Sequence, residues 1–179
     1  TWHAIANAIY YQGISDKILP VSMKVTYYLD GKEIKPADLK GKSGHLKIQV
    51  DYANKEKKTV SVDGKQEEVY TPFVMMTGMI LPNETFSNVT IDNGKVISDG
   101  SKNIVVGFGM PGMKESLNLD ESKTEDLTIP ESLCVEADVT DFTMSSTYTV
   151  ALSDLLDDVD MDSIVNVDDL QNALDDLED

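Results

Sequence analysis

From Val21 to Leu29 the chain alternates without a break, with Val21, Met23, Val25, Tyr27 and Leu29 separated by Ser22, Lys24, Thr26 and Tyr28. A period of two is the signature of a strand with one buried face, because successive side chains point to opposite sides of a sheet. Asp30-Gly31 follows at once. That dipeptide suits a tight hairpin, since both central residues of a type I′ turn need positive φ. Leu46, Ile48, Val50 and Tyr52 repeat the pattern around Lys47, Gln49 and Asp51. Asp63-Gly64 and Asn93-Gly94 are further turn signals, the second lying between Val89-Thr90-Ile91 and Val96-Ile97. More strands are expected over 68–80, 103–108, 133–140 and 142–150. Helical signals before residue 151 are confined to one turn at Pro36-Ala37-Asp38-Leu39 and another near 112–118. Short strands punctuated by glycine turns predict an all-β fold, an immunoglobulin-like antiparallel β-sandwich over residues 1–150. The Gly/Pro/Lys/Glu stretch 109–130 is the candidate seam if there are two units rather than one.

The C-terminal part obeys a different period. Leu152, Leu155, Leu156 and Val159 form a helical stripe with Ser153 as N-cap, and Val167, Leu170, Leu174 and Leu177 recur at spacings of three and four. This predicts an acidic helical segment over 151–179, the start of a stalk. Charge divides at nearly the same place. All 15 basic residues are Lys and lie in residues 1–123, where 15 acids balance them, so 124–179 carries the whole net charge of −17. Such acidity excludes nucleic acid and anionic membrane surfaces as partners, because both are held by clustered Lys or Arg. Acidic pairs such as Asp154/Asp158 oppose an isolated helix by ~0.2–0.5 kcal/mol each.

A single cysteine, Cys134, excludes an internal disulfide framework and is expected to be a buried or half-buried structural thiol. The longest apolar stretch, residues 72–82 (PFVMMTGMILP), is too short to cross a bilayer. The chain opens at Thr1-Trp2-His3 in mid-pattern and ends within the amphipathic stretch, so a piece of a longer protein is expected.

Residues 20–33 (PVSMKVTYYLDGKE), Gly41-Lys42-Ser43-Gly44, Thr77-Gly78-Met79-Ile80-Leu81-Pro82, Asn93-Gly94-Lys95-Val96-Ile97 and the Asp/Leu-rich tail carry a resemblance. From about Tyr10 onward the chain resembles a family of membrane-anchored surface proteins of Gram-positive gut bacteria. In that family a β-rich ectodomain leads into Leu-x-x-Gly heptad repeats and a membrane anchor. The resemblance implies an extracellular, cell-surface location, and a membrane-anchored parent of which these residues do not themselves span the membrane. It brings no activity and no catalytic residue.

Three constellations invite chemistry. Gly107-Phe108-Gly109-Met110-Pro111-Gly112 fits GxGxxG, but a dinucleotide site needs this turn to open a helix in a βαβ unit. Here the flanks are β-patterned, and a glycine-rich strand exit is expected. Asp158, Asp160, Asp162, Ile164 (through its carbonyl), Asn166 and Asp169 place oxygens at the positions of an EF-hand-like loop, a possible calcium site. Ser163 replaces the usual glycine and Asp169 is shorter than the usual Glu, so a solvated acidic linker is the competing account. The two histidines, His3 and His45, lack metal-binding spacing, and His45 is expected as an exposed or hydrogen-bonded residue at a strand head. Tyr10-Tyr11 and Tyr27-Tyr28 should each divide between core and solvent.

Together these features predict a non-enzymatic extracellular structural, adhesion or interaction module, without catalytic residues or a required cofactor, whose partner is a protein or glycan at the cell surface. Two alternatives stay open: a calcium-stabilised interaction module using 158–169, and a small carboxylate-dependent glycan hydrolase.

Overall fold

A computed structural model describes residues 18–62, 64–117, 129–143 and 147–153. These residues are mostly β-strand, arranged in antiparallel sheets. Strands β1 (Val21–Leu29), β2 (Lys32–Ile34), β3 (Gly44–Asn54), β7 (Phe86–Ile91) and β10 (Ser132–Val139) build a five-stranded sheet in the order β2-β1-β3-β10-β7. Strands β6 (Val74–Pro82), β8 (Gly94–Ser98), β9 (Lys102–Gly109) and β11 (Tyr148–Leu152) build a four-stranded sheet in the order β11-β6-β9-β8. Strands β4 (Lys57–Val62) and β5 (Lys65–Tyr70) form a separate two-stranded ribbon. The expected all-β class therefore stands.

The alternation read from the sequence becomes the two faces of the five-stranded sheet. Leu46, Ile48, Val50, Leu133 and Val135 point inward and are almost wholly buried. They meet Met75, Met79, Leu81 and Val105 of the four-stranded sheet in one apolar cluster. Between β1 and β2, Asp30 and Gly31 take φ of 49° and 77°, the conformation the dipeptide predicted, and Leu29 pairs with Lys32. The short helices α1 (Pro36–Leu39) and α2 (Met113–Ser116) fall where helical turns were expected. Leu39 is fully buried, and an edge-to-face pair of Phe86 and Phe142 (5.8 Å) adds to the same cluster.

Several sequence expectations need correction. The stretch 68–80 is not one strand: it divides into β5 and β6 at Thr71-Pro72-Phe73, where proline has no N–H to give a ladder. The chain does turn at Asn93-Gly94 as expected, but β7 and β8 belong to different sheets, so this turn crosses between the layers. Leu152 does not begin a helical stripe; it pairs with Val74 as the last residue of β11. The remainder of the expected helical segment, 154–179, lies outside the described residues.

GxGxxG is resolved as a strand exit. Gly107 and Gly109 face inward on β9. A Cβ on Gly107 would come within 2.6 Å of both Ile91 Cδ1 and Leu133 Cδ2, and one on Gly109 within 2.9 Å of the Tyr52 ring. These glycines let the sheets approach; they do not cradle a phosphate. Gly112 then precedes a four-residue helix.

Candidate functional site

Three surfaces hold the chemistry of the described chain, and their character follows from which side of which sheet they occupy.

The outer face of the five-stranded sheet is polar. His45 on β3 stands opposite Asp138 on β10, with Nδ1 3.0 Å from the Asp138 carboxylate and Nε2 3.7 Å from Glu136. Asn88 donates to the other Asp138 oxygen at 2.8 Å. The hydrogen bond to Asp138 raises the imidazole pKa, and those from Asn88 and His45 lower that of the carboxyl. The arrangement is an exposed, hydrogen-bonded histidine at a strand head, as expected for His45. Cys134 lies half-buried on this face, and burial pushes its thiol pKa up. A thiol held protonated is a weak nucleophile.

The outer face of the four-stranded sheet is apolar. β11 and β6 turn Tyr148, Val150, Met76 and Ile80 outward, and β9 and β8 add Ile104, Val106, Phe108 and Ile97. Tyr148 is 69% exposed, Val150 51%, Ile97 52% and Ile80 43%. One end of this face is covered: Met110 and Ile129 pack with Val74 in a second apolar cluster, joined by Met76, Phe108, Met113 and Leu117. The other end is open. Three inter-strand spacings by five residues give a footprint of about 14 by 13 Å between backbone centres. With its side chains this patch approaches the few hundred Å² at which exposed apolar surface commonly marks an interaction site.

The third surface is a groove between the sheets. The layers are joined on the β7–β8 side by the crossing chain, whereas β1 faces β11 and β6 across a cavity of about 390 Å³. Met23, Val25 and Tyr27 line one wall, Met75, Met79 and Ala151 the other, with Val50 behind and Leu19 and Pro20 at the mouth. A chain of hydroxyls ends in this groove. Tyr52 Oη lies 2.6 Å from Thr77 Oγ1, Thr77 lies 2.7 Å from Thr149 Oγ1, and Thr149 donates to Met23 Sδ at 3.4 Å. Thr77 is 1% exposed, so its hydroxyl depends on these partners. Burial raises the phenol pKa of both Tyr52 and Tyr27.

The six calcium candidates, Asp158, Asp160, Asp162, Ile164, Asn166 and Asp169, lie outside the described residues, as does His3. None of the three surfaces was identified from the sequence. The groove joins residues as far apart as Met23 and Thr149, and His45 and Asp138 meet only because β3 and β10 are neighbours. The apolar face did leave a signal. Tyr148, Val150 and Leu152 alternate with Thr149 and Ala151, but alternation alone does not say which set faces out. Among the described residues no helix is long and apolar enough to cross a membrane. Comparison of the chain with protein-family models, with curated proteins and with solved structures finds no match.

Proposed function

We propose that this chain is a non-enzymatic interaction module of a membrane-anchored, extracellular surface protein, an immunoglobulin-like display sandwich enlarged to five and four strands. In this reading it binds a protein partner through the open apolar end of its four-stranded sheet. The observation that carries it is the cluster of Tyr148, Val150, Ile80 and Ile97, four large apolar side chains each roughly half exposed or more on one sheet face. Water-exposed apolar surface costs ~25 cal/mol per Å², and a partner that covers it recovers that free energy. The patch is smaller than the ~800 Å² per partner of a standard stable interface. It therefore serves as the centre of a contact of modest affinity, or of a larger one with a polar rim.

The test uses the full chain in two parallel assays. Binding to intact Gram-positive cells is compared for the wild type and an Ile80→Lys/Val150→Lys variant, and cell-wall and glycan panels are assayed for released products. The expectation is no turnover and a loss of binding of about tenfold or more in the variant. Product release by the purified chain, or equal binding by the charged variant, would overturn the proposal.

A further inference from the structure

The groove between β1 and β11 lies apart from the outer sheet face, and its shape, lining and charge define a second site. Two close approaches give its direction. Gly109, the pairing partner of Met75, packs against the ring of Tyr52, which pairs with Met23. Gly107, the partner of Thr77, packs against Leu133, which is level with Val25 through Val50. β1 and β6 therefore run side by side across the groove, and Met79 comes level with Tyr27. The lining from Val21 to Tyr27 spans ~20 Å of strand. A volume of about 390 Å³ spread over that length makes a narrow slot, with the width of a single hydrocarbon chain.

The chemistry changes along the slot. Met23, Met75 and Met79 supply thioethers, whose unbranched side chains adapt to the shape of a ligand. At the mouth Met23 is 45% and Leu19 72% exposed, apolar surface that a bound chain would cover. The hydroxyls of Thr77 and Thr149 are engaged with each other and with Tyr52 and Met23. Two further hydroxyls gather at the Met79 end: Tyr27 lines it, and Thr147, one step beyond the Tyr148–Gly78 pair, falls beside Met79. Neither has a hydrogen-bond partner among the described residues. Among these residues no Asp, Glu, Lys or His lines the groove, and the whole chain carries a net charge of −17. Charge complementarity selects an uncharged ligand, because an ionised head would enter without a counter-charge. We propose that the groove binds one neutral single-chain lipid, an aliphatic chain with a hydroxyl head of the fatty-alcohol kind. The chain lies between Met23 and Met75, and the head exchanges hydrogen bonds with the Tyr27 and Thr147 hydroxyls.

Isothermal titration of the full chain with 1-decanol tests this, with decanoate at pH 8 as the charged counterpart of equal length. 1-Decanol should bind once per chain, and at least about tenfold more tightly than decanoate. Tyr27→Phe/Thr147→Val removes both head-group hydroxyls without filling the slot, and should weaken 1-decanol about tenfold. Ala151→Trp, which brings an indole into the slot from β11, should abolish binding in a protein whose near-ultraviolet circular dichroism shows it folded. If Ala151→Trp does not fold, the hydroxyl variant decides, since it leaves the packing almost unchanged. No binding of 1-decanol at its solubility limit, equal binding of decanoate, or undiminished binding in either folded variant would overturn the proposal.

Discussion

Replacing Thr77 with Val removes one oxygen from the centre of the hydroxyl chain while keeping the branched shape that a strand favours. Thr77 both serves the Tyr52 hydroxyl (2.6 Å) and meets Thr149 (2.7 Å), and it is the most deeply buried of the three. In Thr77→Val the hydroxyl of Tyr52, a residue only 6% exposed, keeps its desolvation penalty and loses its partner. Leaving such a group unpaired costs ~1–3 kcal/mol. Tyr52→Phe instead leaves Thr77 bonded to Thr149, and Thr149→Val leaves it bonded to Tyr52. Each of those should cost only the ~0.5–1.5 kcal/mol of one net hydrogen bond. The double variant Tyr52→Phe/Thr77→Val removes both ends of the short contact, so its destabilisation should fall about 1 kcal/mol or more below the sum of the singles. Equilibrium urea unfolding of the full chain measures all of these, with an unchanged denaturant slope as evidence that the end states are the same. A Thr77→Val protein as stable as the wild type, or strict additivity in the cycle, would refute the claim that these hydroxyls form one connected unit.

Gly107→Ala places a methyl group between Ile91 and Leu133 and should destabilise by ~1–3 kcal/mol in the same urea assay, through overpacking rather than through loss of any nucleotide. The His45 imidazole faces Asp138 and Glu136 on β10, its backbone N–H donates to the Asp30 carboxylate at the β1–β2 turn, and Lys47 lies farther along its own strand. Because its folded pKa is raised, its contribution is full below the unfolded value near 6.5 and is lost as pH rises through the folded value. The stability gap between wild type and His45→Gln should therefore shrink from pH 5.5 to 8.5, and a gap constant over that range would contradict the assignment. Asp99 accepts hydrogen bonds from the Ser101 hydroxyl and from the Ser101 and Lys102 backbone, which hold its pKa well below the usual carboxylate range. Its stabilisation is present above the unfolded pKa near 3.9 and fades as pH falls below it, so Asp99→Ala should lower the thermal midpoint at pH 7 and converge with wild type in acid. Thermal melts in EDTA and in millimolar calcium should coincide. A calcium-specific rise, lost in Asp160→Ala/Asp162→Ala, would move the reading to a calcium-stabilised module.

The strands visible in the sequence are those whose two faces meet different surroundings. β1 and β3 have one face against the core and one in water, so their periods were explicit and their register follows the alternation residue by residue. β4 left no such imprint, because the β4–β5 ribbon stands largely clear of the apolar core. Long-range contacts fix it instead: Tyr70 N–H donates to Ser116 Oγ at 2.8 Å, and Lys57 stacks over the Tyr70 ring and bonds Glu115. Asn93-Gly94 marked a turn, but which sheets it joins was hidden for a similar reason. The backbone C=O of Asn93 accepts from Phe108 N–H on β9, and its side chain donates to Ser132 C=O on β10. The turn is thus held to two sheets by residues far away in sequence, and a dipeptide rule written for local hairpins has no access to them.

If the chain binds a protein through its apolar sheet face, as proposed, the two outer faces together say what that partner must look like. On the five-stranded sheet the outward positions carry His45, Lys47, Glu136 and Asp138, whose charges are mostly satisfied by one another across β3 and β10. That face has little uncovered apolar surface to offer. The four-stranded sheet has two charged residues among its outward strand positions, Lys95 on its β8 edge and Lys102 at the start of β9. Its β11 edge gives way directly to residues 154–179, which carry acids and no base. A partner that covers Val150 and Tyr148 therefore meets an apolar centre with an acidic sequence attached at one edge. Complementarity then favours an apolar patch bordered by Lys or Arg on the partner. In such a pair the apolar centre sets the dissociation rate, while the acidic stretch steers encounter. Added salt should thus slow association, whereas Val150→Lys should chiefly speed dissociation.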